Sequence, residues 1–349
     1  MGEDCLSTIS VLKKLGSKIH IDGKGNVITD GQGMNSLEEP NQILNVGNSG
    51  TTIRLMSGVL AGRKFRSVLD GDKSIRRRPM GRVVKPLSKM GAIIKAKNNN
   101  ENAPIEFIGG ELKNINYDMP VASAQLKSAL ILAGLRSKDG ITINQPAFSR
   151  DHTERLLRFM GATIKTKGLK IQVMPSEINA VDVIIPGDIS SAAYWLVAGS
   201  IHKNADLTIK NVGINTTRAG IINVLNRMGA KINMFNKLDY SGEPVCDINI
   251  STSNLNATSI CGEEIPLLID EIPIIALAAV FAEGETKISD AEELRYKESD
   301  RIALTVEWMR KAGAQIEELQ DGMIIKGNGK ITGGKFSSHG DHRLSLIHI

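Results

Sequence analysis

Aromatic residues are scarce, at 4% of 349 residues, so the stacking platforms on which single-strand nucleic-acid binders rely are in short supply. Cysteine is scarcer still. Cys5, Cys246 and Cys261 stand far apart with no C-x-x-C spacing, which argues against a disulfide framework or a thiolate metal site and fits a reducing cytoplasm. Long apolar runs are also missing. The longest, Ile272 to Ala282, is too short to span a bilayer, and the N-terminus lacks a signal-peptide apolar region, so no membrane is expected. No block of five like charges occurs, and 43 Lys+Arg against 38 Asp+Glu leave a mild +5, which suits small anionic ligands better than nucleic acid. A Walker A loop is absent, so ATP chemistry gains no support.

What is present is an ordinary folded composition, 41% hydrophobic and 23% charged, in a chain long enough for about two domains. One pattern organises it. "KLGSKI", "KMGAII", "FMGATI", "RMGAKI" and "KAGAQI" each end an amphipathic helix on a glycine, Gly16, Gly91, Gly161, Gly229 or Gly313, with spacings of 68 to 84 residues. Each glycine reads as a left-handed residue just past a helix, where a missing Cβ lets the chain turn into a strand and then a hairpin. Between these units lie polar turns running into helices of small apolar residues: "GNSGTTIRLMSGVLAG", "VASAQLKSALILAGL", "GDISSAAYWLVAGS" and "IDEIPIIALAAVFAEG", with a fifth beginning at "GDHRLS". Helices polar only at the first turn are expected to be buried and to present that turn to something.

The unit is therefore strand, buried helix, strand, amphipathic helix, hairpin. The chain opens inside an amphipathic helix and stops eight residues after Asp341, so the first and last units read as incomplete. Completing them gives six repeats and an α/β (α+β) fold of two pseudo-threefold domains, residues 1–184 and 185–349. If the buried helices of a domain run alike, their positive ends converge on one face, and two such faces make an anion-binding cleft.

Five stretches carry candidate chemistry. "GNSGTT" is either a plain capping turn or an anion site. "RRRPMGR" places Arg76, Arg77 and Arg78 before Pro79, expected in a first helical turn, and is either a solvated basic turn or a phosphate and carboxylate clamp. In "RYKESDRI" the i, i+4 pair Lys297 and Arg301 is expected to share a helical face, with Glu298 beside them either in a surface ion-pair network or moving protons. Asp270 interrupts an apolar stretch, as an N-cap, a functional carboxylate or both. "SHGDHR" spaces His339 and His342 around Asp341, a weak metal signal outweighed by a turn, and leaves Arg343 as a candidate anion ligand.

In order along the chain, "GNSGTTIRL", "RRRPMGR", "SAQLKSALILAGL", "SRDHTERLL", "PGDISSAA", "DEIPIIALAA", "RYKESDRI" and "GDHR" resemble the 5-enolpyruvylshikimate-3-phosphate synthase family, closest in wording to its Gram-positive-like bacterial branch. The resemblance implies the enolpyruvyl transferase fold, an inverted α/β barrel of βαβαββ units, acting as a cytoplasmic monomer without metal or organic cofactor. It implies transfer of the enolpyruvyl group of phosphoenolpyruvate to the 5-hydroxyl of shikimate 3-phosphate. Ser123, Gln125, Ser149, Asp270 and Lys297 would hold shikimate 3-phosphate. Gly50, Arg78, Gln125, Arg301 and Arg343 would hold phosphoenolpyruvate, with Asp270 and Glu298 as the proton movers.

Gly50, lacking a side chain, further implies sensitivity to the analogue inhibitor glyphosate. Arg301→Ala is expected to lose phosphoenolpyruvate binding with the fold intact, and Asp270→Asn to slow turnover more than binding. The family's N-terminal Lys-Ser…Arg motif has no counterpart here, and the tail Leu344 to Ile349 departs from the family's continuation, so the chain as written is expected to have little activity. The competing readings are the sister transferase acting on UDP-N-acetylglucosamine and a basic nucleic-acid-binding repeat protein. The first typically carries a reactive cysteine in the loop aligned with Lys73 to Arg78, which holds none here.

Overall fold

The structure is a computed structural model that describes residues 2–33 and 35–345, without the side chains of His342 and Ser345. Residues 346–349 of the tail therefore lie outside the described residues. The chain falls into two compact units, Met1–Ala147 with Asp151–Asp182, and Phe148–Arg150 with Val183–Ile349. Each unit has its own apolar core. Among the described residues no helix is long and apolar enough to cross a membrane.

The repeat read from the glycines is the repeat of the fold. In its first full copy, Leu44–Asn45 pairs in parallel with Ser67–Asp70, and the helix Gly50–Leu60 connects them. The helix Gly81–Lys89 then leads into the hairpin of Ile93–Ala96 and Asn102–Gly109, whose second strand returns beside Ser67–Asp70. The same strand order recurs with Asn116–Asp118, Ile141–Asn144, Ile164–Lys167 and Lys170–Val173 around the helices Ala124–Gly134 and His152–Phe159. In the second unit it recurs with Ser259–Ile260, Glu285–Ile288, Gln315–Leu319 and Gly322–Lys326 around Ile272–Val280 and Arg301–Lys311. The remaining copy has Asp206–Gly213, Lys231–Tyr240 and Glu243–Ser251 around Ile189–Ile201 and Gly220–Arg227, its first strand reduced to one parallel bridge from Gly187 to Val212. A half copy, the helix Glu3–Lys14 with the hairpin Lys18–Ile21 and Val27–Asp30, precedes them.

All five hinge glycines sit at φ between 90° and 109°, where a side chain on Cα is strained. The four helices of small apolar residues are buried, and their small side chains allow close approach. A Cβ built on Gly58 would lie 2.1 Å from the carbonyl oxygen of Ala129 on the neighbouring buried helix. Gly58→Ala is therefore expected to lower stability by about 1–3 kcal/mol, despite alanine's better helix propensity, and denaturant titration measures it. An unchanged midpoint would mean that the two helices slide apart at no cost.

Two local expectations are corrected. Pro79 is not in a first helical turn: a 3-10 turn over Ile75–Arg77 ends before it, and the helix begins at Gly81. Lys297 and Arg301 do not share a helical face. Lys297 is extended at the end of the 3-10 stretch Glu292–Tyr296, and Asp300 caps a new helix that starts at Arg301 by accepting from Ala303 N at 3.0 Å. The cap restarts the helix between the two cations, which removes the i, i+4 relation.

Candidate active site

In the first unit the N-termini of two buried helices converge. Ser49 caps one, accepting from Thr52 N at 3.1 Å, and Ser123 caps the other, accepting from Leu126 N at 3.4 Å. Gln125 joins them, donating to Thr51 Oγ1 at 2.9 Å and accepting from Arg54 Nη1 at 2.6 Å. A buried ion pair of Lys127 with Glu154, at 2.8 Å, fixes the Ser123 helix against the following amphipathic helix. Two helix N-termini with their positive ends together form an anion-attracting surface.

The three arginines of "RRRPMGR" separate by partner. Arg76 pairs with Asp70 at 2.6 Å on a half-exposed surface, and Arg77 is exposed. Arg78 alone turns inward, at 8% exposure, donating to Asn48 Oδ1 at 2.7 Å. Its Nη1 lies 2.6 Å from where a Gly50 Cβ would stand. Gly50, Arg78, Ser123 and Gln125 are thus brought together, and Asn48, Thr51 and Arg54 join them.

In the second unit three helix starts meet around one guanidinium. Arg301, 2% exposed, donates from Nη1 to Asp270 at 3.1 Å, from Nη2 to Glu298 at 2.6 Å and from Nε to Asp341 at 2.9 Å. Asp270 also accepts from Arg150. It does not cap the following helix; Glu271 occupies the N-cap position and gives no side-chain cap. Burial alone would raise the Asp270 carboxyl, but Arg150, Lys297, Arg343 and Arg301 together hold it well below the usual carboxylate range. Burial lowers the Lys297 ammonium against the opposing pull of Asp270 and Glu293. Arg343 is fixed through its backbone, its N donating to Asp341 Oδ1 at 2.9 Å and its carbonyl accepting from Tyr194 at 2.7 Å. Ser149 is buried at 4% exposure in the Phe148–Arg150 segment.

Sequence reasoning passed over Arg54, Arg150, Ser190, Arg218 and Glu271. Arg54 is the one charge in "GNSGTTIRLMSGVLAG", which was the available signal. Among the described residues no group of three or more His, Cys, Asp and Glu is placed to hold a metal.

The arrangement is a polar cluster in each unit, rich in guanidinium groups and helix N-termini, with three carboxylates on one arginine in the second. Comparison with known proteins agrees with that chemistry. The family model for EPSP synthase (3-phosphoshikimate 1-carboxyvinyltransferase) matches residues 1–348. The 3-phosphoshikimate 1-carboxyvinyltransferase of Shouchella clausii is 50% identical over 346 residues, 99% of this chain and 80% of the relative. That of Bacillus subtilis is 49% identical over 349 residues, 99% of this chain and 81% of the relative. A solved EPSP synthase from Acinetobacter baumannii, 41% identical, superposes with a TM-score of 0.88 over 99% of this chain and 80% of its own. With the family model spanning residues 1–348 and relatives 50% identical over 99% of the chain, the chain belongs to the EPSP synthase family.

Proposed function

We propose that these two polar clusters carry out the family's reaction, transfer of the enolpyruvyl group of phosphoenolpyruvate to the 5-hydroxyl of shikimate 3-phosphate, with the following division of labour. Ser123 and Gln125 of the first unit and Ser149, Asp270 and Lys297 of the second hold shikimate 3-phosphate. Gly50, Arg78 and Gln125 of the first and Arg301 and Arg343 of the second hold phosphoenolpyruvate. Asp270 takes the proton of the 5-hydroxyl as its oxygen attacks C2, and Glu298 delivers a proton to C3. The tetrahedral intermediate then expels phosphate as Glu298 takes a proton back from the methyl group. Guanidinium groups already fixed by neighbouring side chains meet the carboxylate and phosphate without reorganising, which is where much of the rate enhancement arises.

The observation that carries this assignment is the Arg301 fork, which holds both proposed proton movers within 3.1 Å of one guanidinium. A carboxylate held far below its ordinary range is a weak base. Both substrates are anions, however, and seating them against Arg150, Lys297, Arg301 and Arg343 neutralises the charges that depress Asp270. Binding thus raises the basicity of Asp270 at the moment it is needed.

Asp270→Asn tests the reading. It keeps the size and one acceptor of the side chain, so shikimate 3-phosphate binding measured by calorimetry is expected to change little, while phosphate release slows by about 10²–10⁴-fold. A variant that releases phosphate at the wild-type rate would remove Asp270 from the chemistry.

A further inference from the structure

Glu271 is a buried carboxyl that the reaction does not use. It follows Asp270 directly, at the start of a buried helix, and is 2% exposed. The two consecutive side chains have separate partners: Asp270 meets Arg150 and Arg301, whereas Glu271 Oε1 accepts from the Ser190 hydroxyl. Ser190, 1% exposed, lies in the first turn of the helix Ile189–Ile201. Its oxygen accepts from Arg218 Nη2 at 2.8 Å, so its single proton is committed to Glu271. The same Arg218 nitrogen donates to Asp188 at 2.7 Å, and Asp188 caps the Ile189–Ile201 helix by accepting from Ser191 N at 3.0 Å.

We propose that Glu271 is a positioning residue for Asp270: through Ser190 it ties the turn bearing Asp270 to Arg218 and to the cap of the adjacent buried helix, fixing the direction of the Asp270 carboxylate. The proposal rests on Asp270 being the base of the proposed reaction. The helix Ile272–Val280 has no side-chain cap, so the one side chain at its N-cap position serves this cross-link instead. The charged and titratable groups around Glu271 are Asp270, Arg218, Arg343 and, on the helix it meets, Tyr194. Burial, reinforced by the Asp270 charge, pushes the Glu271 carboxyl up against the opposing pull of the Ser190 hydrogen bond, Arg218 and Arg343. Glu271 and Ser190 are buried, Arg218 is partly buried and Asp188 exposed, and a hydrogen-bonded chain anchored in the core in this way is the kind of network that fixes one arrangement of a turn.

The test compares Glu271→Gln, Glu271→Leu and Ser190→Ala in the whole protein. Its first readout needs no turnover: the ¹³C carboxyl shift of Asp270 at neutral pH, assigned by its loss in Asp270→Asn. The signal is expected to be displaced in Glu271→Leu and in Ser190→Ala, and to return to its wild-type position in Glu271→Gln, which keeps an acceptor for Ser190. In steady-state kinetics Ser190→Ala and Glu271→Leu are expected to lose about tenfold or more in kcat with both KM values little changed, and Glu271→Gln to keep kcat near the wild-type value. Ser190→Ala removes one hydroxyl only, so it remains informative if Glu271→Leu does not fold. An Asp270 signal unmoved in Ser190→Ala, or moved as far by Gln as by Leu, overturns the proposal. If Asp270→Asn itself turns over normally, the reading of Asp270 as the base fails while the shift comparison still decides the positioning role.

Discussion

Arg301→Ala is expected to lower turnover by about 10²–10³-fold or more and also to destabilise the second unit by about 3–5 kcal/mol. The second effect departs from the sequence expectation of an intact fold. Arg301 is 2% exposed and serves Asp270, Glu298 and Asp341 together, so its loss leaves buried carboxylates short of a cation. The sign with pH follows from two of them. Asp270 and Asp341 have carboxyls below their unfolded values, so the stability they contribute is present above about pH 4 and lost as pH falls through the folded values. Without Arg301 those folded values rise and the contribution shrinks, most at Asp341, where Arg301 is the main lowering influence, and less at Asp270, which keeps Arg150, Lys297 and Arg343. The difference in Tm between wild type and variant is therefore full from neutrality down to about pH 4 and narrows as pH falls on toward about pH 2. Calorimetric melting across that range checks it, and a constant difference would mean that the cost is lost packing rather than lost charge pairing.

Gly50→Ala is expected to raise the KM for phosphoenolpyruvate by about tenfold or more while leaving the fold and the affinity for shikimate 3-phosphate unchanged. The new Cβ would stand 2.6 Å from Arg78 Nη1 and 3.2 Å from Arg54 Nη1. Both contacts are with the ends of flexible side chains, so the helix stays and the guanidinium groups move. Alanine also suits a first helical turn better than glycine, so no loss of Tm is expected. Varying each substrate in turn separates the outcomes; an equal rise in both KM values would mean that Gly50 acts through the helix and not through Arg78.

Much of this architecture was legible because it depends on residues whose backbone behaviour is local. Gly16, Gly91, Gly161, Gly229 and Gly313 announce their left-handed conformation by what they lack, and a helix such as Ile272–Val280 announces its burial by having no polar face. The sequence alone could not separate Arg76 from Arg78. That choice is made by Asp70, a strand residue that takes Arg76 outward, and by Asn48, which takes Arg78 inward. Arg150 and Asp270 lie 120 residues apart and Ser190 and Glu271 lie 81 apart, so no spacing pattern links them. Lys297 and Arg301 misled for a different reason. Their spacing was right for one helix, but Asp300 starts a new one between them.

The strands that lead into the polar turns are very short. Parallel pairing amounts to two residues at Leu44–Asn45, three at Asn116–Asp118, two at Ser259–Ile260 and a single bridge at Gly187. Few ladder hydrogen bonds must break for such a turn to lift away, while the buried helix behind it stays packed in the core. Each repeat thus joins a rigid floor to a lip held by few ladder hydrogen bonds, and local opening there, which exposes a few core side chains such as Leu44 or Ile260 but leaves the helices packed, costs less than global unfolding. Amide protons on these strands would then exchange by a low-energy route closed to those of the helices they introduce.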